Sequence, residues 1–110
     1  MIFVLLLQIL YIAFNNNLYN NIESMDVMHD EARNLFRVEA EGHTAYVEYA
    51  VHDGALDILH TIVPAEIGGK GIASALVKAA YDYALEHGLK PLATCSYAVV
   101  WLQRHPEYRR

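Results

Sequence analysis

Three glycines, Gly68, Gly69 and Gly71, lie within four residues directly before the best helix-forming stretch of this chain. The first N–H groups of a helix lack intrahelical partners and carry the positive end of the helix dipole. Glycines before them leave the backbone open to a ligand, because no Cβ intervenes. The spacing therefore predicts a cradle of backbone amides for an anion such as a pyrophosphate. The alternative interpretation is a plain flexible turn.

Neither common nucleotide-binding motif fits this stretch. A Walker loop, G-x-x-x-x-G-K-[ST], would need Lys and Ser or Thr where Ile72 and Ala73 stand. A dinucleotide fingerprint, G-x-G-x-x-G, would need its third glycine where Ser74 stands. The glycines therefore predict an anion site without naming the anion.

Composition narrows the class of protein. The chain has 110 residues, of which 55% are hydrophobic and 19% charged, so one folded domain with one core is expected. A net charge of -5 argues against nucleic acid as the main partner, since phosphate backbones attract basic surfaces. Cys95 is the only cysteine, which excludes an internal disulfide and fits a cytoplasmic location.

The N-terminal residues differ from the rest. Residues 1–14 are apolar, residues 15–24 are Asn-rich and polar, and no Lys or Arg occurs in 1–24. The apolar run is shorter than the roughly 20 residues of a membrane-spanning helix. A weak signal or membrane anchor, a packed appendage, and an upstream extension of a reading frame starting at Met25 or Met28 are the three interpretations. The functional domain is placed at 25–110.

The segments before the glycines alternate in polarity as half-buried strands do. Glu41-Gly42 and Asp53-Gly54 are hairpin turn signals between them. The predicted strands are Leu35–Gly42, His43–Gly54 and Ala55–Val63.

After the glycines the apolar residues recur with a helical period. A helix is predicted over Gly71–His87, ended by Gly88 and followed by a strand over Pro91–Ser96. A short helix over Tyr97–Tyr108, broken near Pro106, completes the chain. The fold class is α+β (mixed α/β): an antiparallel β meander followed by β-α-β-α, with the last strand parallel to the third.

The stretch "VPAEIGGKGIASALVKAAYDYA" resembles motif A of the GNAT family, the Gcn5-related N-acetyltransferases. That motif places Q/R-x-x-G-x-G/A between a strand and a helix. Gly71 and Ala73 match its last two fixed positions, and Gly68 stands where Gln or Arg is usual. With "YVEYAVHDGALDILHTIVP" and "LATCSYAVVWLQRHPEY", the chain is similar to a small single-domain GNAT subgroup over Leu35 to Tyr108.

The resemblance implies a site for acetyl-CoA. No metal is expected, because the histidines show no zinc-site spacing with Cys95. Backbone amides from Gly69 to Ala73 would hold the pyrophosphate, and the backbone around His60 would run beside the pantetheine arm. The acetyl group would sit where the third and fourth strands splay apart. The implied cofactor-binding residues are Ile62, Val63, Gly68, Gly69, Lys70, Gly71, Ile72 and Ala73.

Three residues are candidates for the chemistry that the resemblance implies. His60 could accept the amine proton, a role that histidine side chains often take in catalysis. Cys95 ends a strand, where its thiolate could accept the acetyl group or assist its transfer, and Tyr97 could protonate the CoA thiolate. The alternatives are a sheet histidine, a core cysteine and a helix-capping aromatic. Glu48 and Asp57 are further carboxylates, which strand alternation places on an exposed face.

These inferences predict an N-acetyltransferase that moves an acetyl group from acetyl-CoA to an amine. A non-catalytic CoA-binding module and a small interaction domain are the rival interpretations. Larger relatives carry further C-terminal strands that form a wall of the acceptor site. Without them the pocket should be open, which favours a protein or peptide amine as acceptor, or completion of the site in a homodimer.

Overall fold

The computed structural model describes residues 25–109, so the prediction for residues 1–24 lies outside the described residues. Five strands form one sheet in the order β1-β2-β3-β4-β5, antiparallel except that β5 runs parallel to β4. The predicted meander and the predicted parallel crossing are both confirmed. The short first strand was not predicted, so the predicted third strand is the fourth of the sheet. The strands are β1 Met28–Asp30, β2 Leu35–Ala40, β3 His43–His52, β4 Ala55–Ile62 and β5 Lys90–Ala93.

Both predicted hairpin turns adopt the left-handed backbone that suits them. Glu41 and Gly42 have φ of 52° and 77°, and Asp53 and Gly54 have φ of 54° and 73°. Positive φ at both central residues is the type I′ pattern, whose twist matches that of paired strands. These turns fix the register of β2, β3 and β4.

Two α-helices follow, α1 Ile72–Glu86 and α2 Ser96–Arg104. The last helix is shorter than predicted, because Pro106 begins a separate 3₁₀ turn, Pro106–Tyr108. Strand β5 likewise ends at Ala93, before the predicted Ser96. There are two more 3₁₀ turns in the described residues. Glu31–Arg33 joins β1 to β2, and Ala65–Ile67 comes directly before the glycines.

Helix α1 covers one face of the sheet. Its buried side chains pack against apolar residues of β2, β3 and β4 in a single core. The fully enclosed side chains of this core include Val47, Leu56, Ile58, Ile67, Leu76, Val77 and Tyr81.

Helix α2 lies beside α1, because the Trp101 indole N–H donates to Ser74 Oγ at 3.0 Å and its ring centroid lies 5.8 Å from that of Tyr81. The opposite face of the sheet, which neither helix covers, is called the open face below. The pairing register of β3 with β4, which shifts between Glu48 and Tyr49, puts five residues on this face: Tyr46, Glu48, Asp57, His60 and Ile62. Thr94 follows just after β5.

Candidate functional site

Strands β4 and β5 separate to form a fork. Their parallel pairing ends at Ile58 and Ala93, while β4 continues to Ile62. The Ile58 carbonyl accepts hydrogen bonds from the N–H groups of both Thr94 and Cys95, each at 3.0 Å. This shared acceptor is the apex of the fork, and beyond it the edge of β4 that faced β5 is released from parallel pairing.

A bulge in β4 lies directly beside the apex. Glu48 pairs with His60 and the next residue of β3, Tyr49, pairs with Ile58, so Leu59 is an extra residue in β4. A bulge bends its strand and re-aims the side chains next to it. The bulge lets β4 turn away from β5 while it stays paired with β3.

The glycine loop joins β4 to α1. Gly69 and Gly71 have φ of 74° and 77°, a left-handed backbone that other residues adopt only with strain, and Gly71 is the N-cap of α1. Within the described chain no side chain caps α1, and its first turn holds no acidic residue. The N–H groups of that first turn are therefore available to a bound anion.

A cavity of about 300 Å³ runs along this loop and reaches the first turn of α2. It brings together seven of the predicted site residues: Val63, Gly68, Gly69, Gly71, Ile72, Ala73 and Tyr97. Gly68 is in extended backbone, and a Cβ there would lie 3.3 Å from the Ala65 carbonyl oxygen. Backbone N–H groups at the start of a helix, such as those along this cavity, are a common type of phosphate-binding site.

Two predicted cofactor residues lie outside that cavity lining. The Lys70 ammonium donates to the Glu41 carboxylate, and the aliphatic side chain of Ile62 is exposed. Lys70 lines an adjoining groove along α1, together with Met25 and Lys78, and Gly71 and Ser74 line both the groove and the cavity.

Cys95 lies at the N-terminus of α2, next to β4. Its Sγ is 3.3 Å from Thr61 Oγ1, on the face of the sheet that α1 covers. Partial burial opposes ionisation, but the Thr61 hydroxyl and the backbone N–H groups of Ala98 and Tyr97 outweigh it and lower the pKa of the thiol. The Cys95 side chain makes no capping hydrogen bond to these N–H groups. They favour the thiolate through the positive electrostatic field at the start of α2.

His60 points to the open face, away from Cys95. Its Nε2 lies 4.0 Å from Glu48 Oε1, and 66% of its side chain is exposed. Two of the three candidates for the chemistry, Cys95 and His60, thus lie on opposite faces of β4, on either side of the fork. A thioester held in the fork would be open to the thiol from one face and to an amine from the other.

Two tyrosines border the fork in different ways. Tyr97, in the first turn of α2, is exposed and faces the glycine loop across the cavity. Tyr81 is buried, and its hydroxyl donates to the Leu92 carbonyl at 2.6 Å. Burial raises the pKa of Tyr81, and the nearby acidic groups Asp57 and Cys95 add to the effect, so this phenol stays neutral.

The expectation for Asp57 was wrong, whereas Glu48 is half-buried, with 43% of its side chain exposed. Asp57 is only 9% exposed, although it lies on the open face. The Thr94 hydroxyl donates to its Oδ2 at 2.8 Å, and His52 Nε2 lies 3.6 Å from the same oxygen. Alternation along β4 gave no sign of this cluster, because its cover comes from β3 and from the residue after β5.

Residues 25–109 contain neither a candidate metal site nor a candidate membrane-spanning helix. No group of three or more His, Cys, Asp and Glu side chains there could hold a metal ion. No helix in this part of the chain has the length and hydrophobicity needed to cross a membrane.

Comparisons with known proteins agree with the geometry of the fork and the glycine loop. Residues 34–110 match the family model for GCN5-related N-acetyl-transferases. Protein NATD1 of Xenopus tropicalis is 39% identical over 87 residues, which are 76% of this chain and 79% of that protein. Protein NATD1 of Homo sapiens is 39% identical over 84 residues, which are 73% and 74% of the two chains.

A solved structure is also similar. The NMR solution structure of a GCN5-like protein from Staphylococcus aureus superposes with a TM-score of 0.61 at 32% identity, covering 76% of this chain and 83% of that one. The chain therefore belongs to the GCN5-related N-acetyltransferase family. The predicted family and fold class are confirmed. Members of this family generally use acetyl-CoA, and their fold suggests acetyl transfer.

Proposed function

We propose that this protein transfers the acetyl group of acetyl-CoA to an amine, and that Cys95 carries the acetyl group between the two. The observation that carries the proposal is the uncapped start of α1, whose cavity runs from the glycine loop to the first turn of α2. The loop amides would hold the pyrophosphate, and the released edge of β4 would pair with the pantetheine amides. This arrangement directs the thioester into the fork.

The transfer would take two steps. In the first, the Cys95 thiolate attacks the thioester carbonyl, a new S–C bond forms, and CoA leaves as a thiolate. The lowered pKa of Cys95 supports this role, because it raises the thiolate fraction near neutral pH. Tyr97, exposed at the same cavity, is the candidate donor of a proton to the leaving thiolate.

In the second step, a neutral amine attacks the acetyl-Cys95 thioester from the open face. The amine nitrogen forms a bond to the carbonyl carbon, Cys95 leaves as a thiolate, and the amine proton passes to a base. His60, next to Glu48 on that face, is the candidate base. The open face has room for an amine on a protein or peptide.

Calorimetric titration of the full chain with acetyl-CoA tests the binding site. Gly71→Glu should weaken binding at least tenfold, about 1.4 kcal/mol, since it places bulk and negative charge in the cradle. Gly88→Glu is the matched control: Gly88 also has positive φ, 68°, and open space around its Cβ, but it lies after the far end of α1. Equal losses in both variants would show backbone strain and contradict the cradle.

Intact-protein mass spectrometry after incubation with acetyl-CoA tests the transfer. The wild type should gain the mass of one acetyl group, and Cys95→Ala should bind acetyl-CoA without gaining it. A chain that binds acetyl-CoA but is never acetylated, and acetylates no amine, would be a non-catalytic CoA-binding module instead.

A further inference from the structure

The open face carries a buried carboxylate with an unused acceptor. Asp57 is 9% exposed, and its Oδ1 has no hydrogen-bond partner among the residues that the structure describes. Its other oxygen, Oδ2, accepts from the Thr94 hydroxyl. A buried carboxylate oxygen without a donor is costly, so such atoms are rare in folded proteins and call for an explanation.

No Lys or Arg within residues 25–109 pairs with Asp57. The one ion-pair contact is to His52, whose Nε2 is 3.6 Å from Oδ2 and whose other ring nitrogen faces Asp53 at 3.3 Å. The His52 ring is about half exposed, so it covers the carboxylate from the solvent side without being held in the core. Rotation of this ring away from Oδ2 would open the Asp57 carboxylate to a donor from outside.

The position of Asp57 ties it to the fork. It precedes Ile58, whose carbonyl is the apex, and its partner Thr94 is the residue before Cys95. A donor bound at Asp57 would therefore lie on the open face directly behind the fork, on the side from which an amine would approach.

From this geometry we propose that Asp57, with Thr94 and His52, is a binding site for an alkylammonium group of the acceptor. This inference rests on the proposed acetyl transfer and gives its acceptor a class: an amine with a second positive charge, such as a polyamine or a lysine-rich peptide. The second charge anchors at Asp57 while the neutral amine reaches the fork. The net charge of -5 attracts such a molecule.

The site can be titrated with two probes, spermidine and a capped pentapeptide with two lysines, followed by NMR on the full chain. At least one probe should bind the wild type, and Asp57→Asn should weaken that binding at least about tenfold, as expected for the loss of a charge-assisted hydrogen bond. Asp53→Asn is the matched control, since it removes an exposed carboxylate beside the same histidine and should change affinity less than about twofold. Tighter binding of spermidine would indicate a small polyamine acceptor, and tighter binding of the pentapeptide would indicate a peptide acceptor.

Two results would overturn the inference. One is equal weakening of binding by Asp57→Asn and Asp53→Asn, which would show that net charge alone attracts the probes. The other is that neither probe binds the wild type. If Asp57→Asn does not fold, the Asp57 carboxyl ¹³C shift of the wild type decides: movement on titration supports the site, and no movement rejects it.

The probe titrations are run both with and without acetyl-CoA. Failure of acetyl-CoA to bind would count against the proposed function alone, because probe binding at Asp57 is read independently. Probe binding that does not depend on Asp57, in a chain that binds acetyl-CoA, would reject only the present inference.

Discussion

Cys95 is the residue whose chemistry the structure alters most directly. Because the Thr61 hydroxyl stabilises its thiolate, Thr61→Val should raise the thiol pKa and shift the pH dependence of alkylation by iodoacetamide to higher pH. Thr61→Ser keeps a hydroxyl and should stay close to the wild type. The sole cysteine makes the rate easy to assign. Superimposable profiles for Val and Ser variants would show that Thr61 does not tune the thiol.

For individual residues, the sequence predicted backbone features such as the glycine loop better than it predicted the burial and contacts of side chains. The glycines were found because positive φ and an uncapped helix end are local properties, readable from spacing. The burial of Asp57 and the bulge at Leu59 were missed, because they depend on His52 and Thr94 and on pairing across strands. His29 also gave no signal, since β1 has three residues and is too short to show alternation.

Among the elements, α1 contributes both to the stability of the fold and to the candidate site, since it packs in the core and its first turn lines the cavity. Leu76 is fully buried, so Leu76→Ala should cost about 2–5 kcal/mol of unfolding free energy by leaving a cavity. Leu85→Ala, the same change at a partly exposed position of α1, should cost less. Urea unfolding measures both.

Acetyl-CoA affinity of the folded Leu76→Ala protein should stay within about twofold of the wild type, because the cradle is made of backbone in the loop. A loss of affinity matching that of Gly71→Glu would mean that packing under α1, and not the loop, sets the site.

The elements of this fold were largely predicted from the sequence because hairpin turns, helix period and the Gly88 stop are strong local signals.

For the whole molecule, an aromatic cluster joins β1 to the rest of the fold. The His29 ring stacks on Phe36 with centroids 4.0 Å apart and meets Tyr83 of α1 edge-on at 4.6 Å. Its Nε2 is 2.7 Å from the Tyr49 hydroxyl. Four elements therefore meet at one imidazole, so its charge state affects global stability.

Burial lowers the pKa of His29 below its usual 6.5, and His87 acts in the same direction, while Glu31 and Asp30 oppose them less strongly. The unfolded chain therefore binds more protons at this residue than the folded chain does, and the unfolding free energy rises with pH. This contribution is complete above pH 6.5 and is lost as the pH falls towards the folded pKa.

Urea unfolding of His29→Gln, which keeps a side-chain amide for Tyr49, should show a smaller loss of stability on acidification than the wild type. Tyr49→Phe, which removes the hydrogen bond but leaves the half-buried imidazole, should keep the wild-type direction of the pH dependence. Equal pH slopes in the wild type and His29→Gln would mean that protonation elsewhere sets the acid sensitivity of the fold.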